Sequence, residues 1–164
     1  MGFHDFLQWL EGSPLGHAMR SSGVWTYAIV NLFHIVGIAL LFGAIMLLDL
    51  RLLGVWRSVP LASLSRPAVT VAGAGVTRAV LTGIPMFATK ATDYADNTFL
   101  FLKFALVALA LLNVLALHRS PAWRAQAAGQ ALSVAQERRL ALAAGCSLVL
   151  WFSAITCGRL AGYW

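Results

Sequence analysis

Residues 24–48 read VWTYAIVNLFHIVGIALLFGAIMLL, a run without one charged side chain. A helix rises about 1.5 Å per residue, so about 20 apolar residues cross a hydrocarbon layer about 30 Å thick. This stretch is long enough to span, and three further apolar runs follow it. From Pro67 to Thr92 the chain is rich in Gly and Ala, is interrupted by Arg78, and carries Pro85, which predicts a kink near one end. Residues 99–117 read FLFLKFALVALALLNVLAL, with Lys103 close to the start. The last run, Leu140 to Gly158, is uncharged and extends toward Trp164.

In lipid every peptide group needs an internal partner, and no strand-like alternation runs through these segments, so they read as helices. The expectation is an all-α integral membrane protein, an antiparallel four-helix bundle. Its spans fall at about residues 23–50, 67–92, 98–118 and 140–162 of a domain covering 23–164, after an interfacial segment at 1–22. In that segment Phe3, Phe6, Leu7 and Leu10 share one helical face, which fits either the outer membrane interface or packing on the bundle. Ser13 and Pro14 open a second short helix as N-cap and first helical residue, which Ser22 and Gly23 interrupt.

Composition agrees with a lipid environment. Of 164 residues 60% are hydrophobic and 11% charged, against about a quarter charged in soluble domains. The net charge of +6 comes from basic residues flanking apolar runs, so the partner it implies is the lipid bilayer and not nucleic acid. Arg51, Arg57, Arg66, Arg119, Arg124, Arg138 and Arg139 gather where spans one and two, and three and four, are joined. The positive-inside rule makes that face cytoplasmic and places both termini outside. Asp5, Glu11, Asp93 and Asp96 fall on the other face, with Trp25, Tyr94, Tyr163 and Trp164 as aromatic anchors. Residues 1–19 show no cleavable signal pattern. Cys146 and Cys157 lie too far apart on one helix to pair, and no CxxCH offers covalent haem attachment.

Two residues stand out within the spans. His34 lies near the middle of the first, with Asn31 a turn before it and Gly37 a turn after, leaving room nearby. An ionisable ring at that depth points to function, and neutral imidazole is a good axial ligand for haem iron. The alternative is a neutral histidine bonded to a neighbouring helix. Arg78 falls near the centre of the second span, where a haem propionate, a quinone oxygen, a carboxylate or a water-filled cavity would meet it. Lys103 and Arg159 snorkel to the outer surface or grip propionates.

Candidates for a second axial ligand are Met86, nearest in depth, and His17, which lies near the outer surface and would have to fold inward. His118 lies about 15 Å deeper than His34, so the two do not share one iron. Copper is weakly served, since Met46 and His34 are about 18 Å apart along their helix and the cysteines nearly as distant. Asp49 and Arg51 read as a pair or as caps of neighbouring helix ends. Gly158 and Gly162 permit close helix contact, and the polar stretch from Ser120 to Glu137 reads as a cytoplasmic helical loop without chemistry.

The segments FHIVGIALLFGAIMLLDLRLLG (33–54), KFALVALALLNVLALHR (103–119) and WFSAITCGRLAGYW (151–164) resemble an uncharacterised family of small bacterial four-helix membrane proteins. More loosely, the first and third spans resemble the haem-binding membrane protoporphyrinogen oxidases and the membrane domain of copper-resistance D proteins. On that resemblance His34 matches a membrane histidine, Gly43 and Arg51 a following Gly and Arg, and Lys103 and His118 a Lys and His of another span. Asp49, the Leu-rich tail after Arg51 and the lack of a Trp after the histidine depart from the oxidase pattern. The resemblance therefore implies haem binding more than porphyrinogen oxidation, and a place in the bacterial inner membrane.

These readings give a first expectation, a haem b protein passing electrons within the membrane, to or from quinone or a redox protein partner. His34 is its iron ligand, with Arg78 and Lys103 as propionate or quinone partners. The alternatives are a porphyrinogen-type oxidase and a cofactor-free anchor or assembly subunit. The oligomeric state is open.

Overall fold

A computed structural model describes residues 2–163; the expected anchor Trp164 lies outside them. The described residues are helical, without strands. The helices are α1 (Phe3–Glu11), α2 (Pro14–Ser21), α3 (Val24–Leu52), α4 (Leu61–Thr89), α5 (Thr98–Arg119), α6 (Pro121–Ala127) and α7 (Val134–Leu160), with a single 3-10 turn at Thr92–Tyr94. Helices α3, α4, α5 and α7 are each long and apolar enough to cross a membrane, as the sequence predicts.

The boundaries differ from expectation at two starts. Helix α4 begins at Leu61, ahead of the apolar stretch that starts at Pro67, so the proline lies inside the helix. Helix α7 begins at Val134, where the Ser133 hydroxyl accepts from the backbone N–H of Gln136 and the Gln136 side chain accepts from the N–H of Ser133. That reciprocal cap satisfies two orphan donors and extends the helix ahead of the expected membrane entry at residue 140.

The chain divides into two compact units. The first holds residues up to Leu41 together with Gly73–Asn97. Here the backbones of α3 and α4 touch. A Cβ placed on Gly75 would lie 2.5 Å from the Leu41 nitrogen, and one on Gly37 would lie 2.8 Å from the Ala79 nitrogen. Gly37 therefore leaves no space beside His34, contrary to expectation, because the α4 backbone fills it. At the C-terminal end of α4, Ser13 accepts from the Gly16 N–H and starts α2 as predicted. The Arg20 guanidinium donates to the Glu11 carbonyl at 2.7 Å and to the Thr89 carbonyl at 3.0 Å. One cation thus meets the orphan carbonyls ending both α1 and α4. Leu7 is buried while Phe3, Phe6 and Trp9 are exposed, so α1 packs through one residue and keeps an aromatic face outward.

Glu11 also accepts from the Thr92 backbone N–H at 2.8 Å and from its hydroxyl at 2.6 Å. These bonds, the hydroxyl's first, favour the carboxylate and lower its pKa below the ordinary 4.5. A lowered carboxyl contributes stability above its unfolded value and loses it as pH falls through the folded one. Acidification below pH 4.5 should therefore loosen the Glu11 to Thr92 contact. Hydrogen exchange at residues 92–97, corrected for intrinsic rates, should rise there in the wild type. In Glu11→Gln it should already be raised at neutral pH and change little with acid.

The second unit holds Phe42–Ala72 and the chain from Thr98 on. Helices α5 and α7 pack antiparallel, with Lys103 lying along Gly158 near one end and Asn113 donating to the Ala143 carbonyl at 3.0 Å near the other. The buried residues of α7, Leu140, Ala144, Ser147, Trp151, Ala154 and Cys157, recur at spacings of three and four, the seam of coiled-coil packing. At the arginine-rich end Leu48, Ala68 and Trp123 form a core with Leu52, Leu61 and Leu117 packed on it. Helix α6 lies in the stretch expected as a helical loop and supplies Trp123 and the buried Gln126 to this unit. Helix α7 ends at Leu160, so Gly162 lies beyond it, while Gly158 meets the Lys103 side chain; main chain meets main chain at Gly37 and Gly75 in the first unit.

Candidate functional site

His34 sits on the face of α3 turned to α4, half-buried, with Gly83 opposite it: a Cβ there would be 3.1 Å from the ring carbon Cε1. Its Nδ1 lies 2.9 Å from the Ala79 carbonyl and 3.1 Å from the Thr82 hydroxyl. A carbonyl only accepts, so Nδ1 carries the proton. The Thr82 hydroxyl spends its own hydrogen on the Arg78 carbonyl at 2.7 Å, so it too accepts from the ring. Both partners enforce one tautomer, and in the neutral ring the lone pair then resides on Nε2.

Arg78 follows on the next turn of α4, toward the arginine-rich end, and its guanidinium lies over the Phe33 ring, 5.6 Å from the centroid. Among the described residues no carboxylate pairs with it. Phe33, Thr77, Arg78, Leu81 and Thr82 border a shallow groove of about 480 Å³. Thr82 is thus shared between the groove and the histidine. Met86 follows Thr82 by four and Gly83 by three, which puts it on the His34 face of α4 one turn toward the helix's C-terminal end; it is half-buried. His34, Arg78 and Met86 therefore come together on the α3 and α4 pair. His17 belongs to the same unit but is exposed on α2.

Lys103 and His118 belong to the second unit. The Lys103 stem lies against Gly158, and the His118 ring meets Trp123 edge-on, with centroids 4.7 Å apart. Arg159 donates to the Tyr163 hydroxyl and lies over its ring.

Two features of this unit were missed from the sequence. Asp49 does not pair with Arg51, which turns instead to donate to the Val59 carbonyl at 2.7 Å and the Arg57 carbonyl at 3.2 Å. Residues two apart on a helix do not face each other, and Asp49 is 4% exposed, bonded to Ser147 of α7. Its Oδ2 and the buried Trp151 indole N–H, one turn from Ser147, have no partner among the described residues. Ser147→Ala removes the carboxyl's hydrogen bond and should lower stability by about 1–3 kcal/mol, measured by thermal unfolding in detergent. An unchanged midpoint would mean that the bond contributes nothing.

No three His, Cys, Asp or Glu side chains gather among the described residues. Residues 6–164 match the family described as Family of unknown function (DUF6644). The chain belongs to that family. No curated protein and no solved structure matches this DUF6644 chain.

Proposed function

We propose that this DUF6644 protein binds haem b in the membrane and passes electrons, exchanging them with quinone or a redox protein partner. The observation that carries the reading is the fixed tautomer of His34: the Ala79 carbonyl and Thr82 hydroxyl hold Nδ1–H and direct basicity to Nε2. Metal-ligating histidines are oriented by such a second partner, which also makes them better donors to iron.

The residues present fit the group. His34 would supply the axial nitrogen, and Met86 on the same face a second ligand of the kind that raises potential. Arg78, a cation without a carboxylate beside it, would neutralise a propionate or hydrogen-bond a quinone oxygen at the groove. The close contact at Gly37 and Gly75 excludes the macrocycle from between α3 and α4 there, which leaves the groove side of the pair. When bound, the haem supplies one-electron redox chemistry; the chain orients the ligand, balances charge and keeps water away. The arginine-rich end would face the cytoplasm, with the termini outside.

A second reading rests on the same bonds. His34 donating to α4 is also a sufficient helix lock for a cofactor-free anchor, in which the ring only joins two helices. An absorbance spectrum separates them. Protein purified after expression with adequate haem supply should show a Soret band that shifts on reduction with dithionite. A colourless preparation ends the haem reading and leaves the lock.

A further inference from the structure

The arginine-rich end of the second unit contains a cavity of about 630 Å³ bordered by the end of α3, the loop after it, and the segment joining α6 to α7. Arg51, Arg57 and Arg138 line it, with Glu137 as the one carboxylate; three positive charges against one negative leave +2. None of the three guanidiniums is paired with a carboxylate among the described residues.

The charges are held in place by the backbone. Arg51 is fixed by the Val59 and Arg57 carbonyls. The Arg57 guanidinium lies over Gly54, where a Cβ would be 2.9 Å from one of its nitrogens, and Gly54 has φ +102, a conformation that other residues rarely adopt. Like charges converging on one cavity repel unless an anion joins them, and guanidinium forks match phosphate oxygens.

We propose that this cavity binds an anionic phosphate ester, the arginines taking its phosphate oxygens. The same chemistry occurs in a phosphatidylglycerol headgroup at the membrane surface and in a free polyol phosphate. Nothing in the argument depends on a haem.

The test uses the full chain and native mass spectrometry in two arms. In one, protein is released from phosphatidylcholine bilayers containing a minority of phosphatidylglycerol; in the other, from pure phosphatidylcholine with glycerol 3-phosphate in solution. Wild type should retain the glycerophosphate ligand in at least one arm well above phosphatidylcholine, and the arm tells which source is used. Arg57→Gln and Arg138→Gln should each cut retention about tenfold, the loss expected for a charge-assisted contact. Arg124→Gln should change nothing, since Arg124 lies outside the cavity lining and donates to the Arg119 carbonyl. Loss in either cavity variant with Arg124→Gln unaffected supports the site, so a folding defect in one does not decide it. Retention no better than phosphatidylcholine in both arms, unchanged retention in both cavity variants, or an equal loss in Arg124→Gln overturns it.

Discussion

His34→Ala should remove the Soret band of the purified protein, while Thr82→Val should keep a weakened one. The alanine deletes the nitrogen proposed as the axial ligand. The valine keeps the shape of Thr82 and the Ala79 carbonyl but removes one of the two acceptors that hold Nδ1–H. Loss of such an orienting partner typically costs about 10- to 100-fold in metal affinity, so haem titration into the purified apoprotein should show weaker binding at unchanged stoichiometry. Graded loss across the two variants distinguishes ligation from general disruption, because a merely unfolded protein would lose the band in both. A His34→Ala protein with the wild-type spectrum would put the iron elsewhere.

The largest effect on stability is expected from Gly75→Ala. Its new methyl would fall 2.5 Å from the Leu41 nitrogen and 2.8 Å from the Gly37 carbonyl oxygen, and neither is the end of a flexible side chain. Overpacking in a core costs about 1–3 kcal/mol when side chains can yield; here two main chains must separate, so the loss should reach or pass the upper figure. Gly43→Ala is the matched control. Nothing lies within 4 Å of its added carbon, and exchange of Gly for Ala inside a helix gains about 1 kcal/mol. Thermal unfolding in detergent should move in opposite directions for the two variants. A Gly75→Ala midpoint equal to wild type would mean that α3 and α4 do not touch there.

The sequence made the four long helices legible because lipid imposes one requirement, a long apolar run, that local composition expresses directly. Ends were less legible. The apolar stretch starts at Pro67, yet the helix that carries it starts at Leu61, because residues 61–66 are helical without being part of the apolar run. Ser133 with Gln136 spelled out a capping box, and Ser120 with Pro121 repeated the pattern seen at Ser13 and Pro14; both signals were present in a stretch read as a helical loop whose ends were left unplaced. The α6 residues Trp123 and Gln126 went unnoticed for that reason.

At the candidate site, the sequence singled out His34 and Arg78 through their depth alone. It did not show that one threonine, Thr82, joins them, since that depends on how α3 is rotated against α4. Gly37 illustrates the same limit. A glycine signals either empty space or close contact, and only the position of the neighbouring backbone decides between them. Asp49 and Arg51 show a different failure: two residues apart, they point to different sides of their helix, which the spacing itself forbids as a pair.

The contact of main chain with main chain at Gly37 and Gly75 also restricts how the first unit moves. Slipping by one helical turn would bring Val71 or Ala79 to the place of Gly75, and either would drive a side chain into Leu41 or Gly37. Rotation about either axis meets the same obstacle. The close contact favours one register of the two helices, and the Ala79 carbonyl and Thr82 hydroxyl fix the imidazole's Nδ1 edge on α4. A redox group fastened there would keep its distance from its exchange partner in both charge states, with little nuclear rearrangement needed when an electron arrives or leaves.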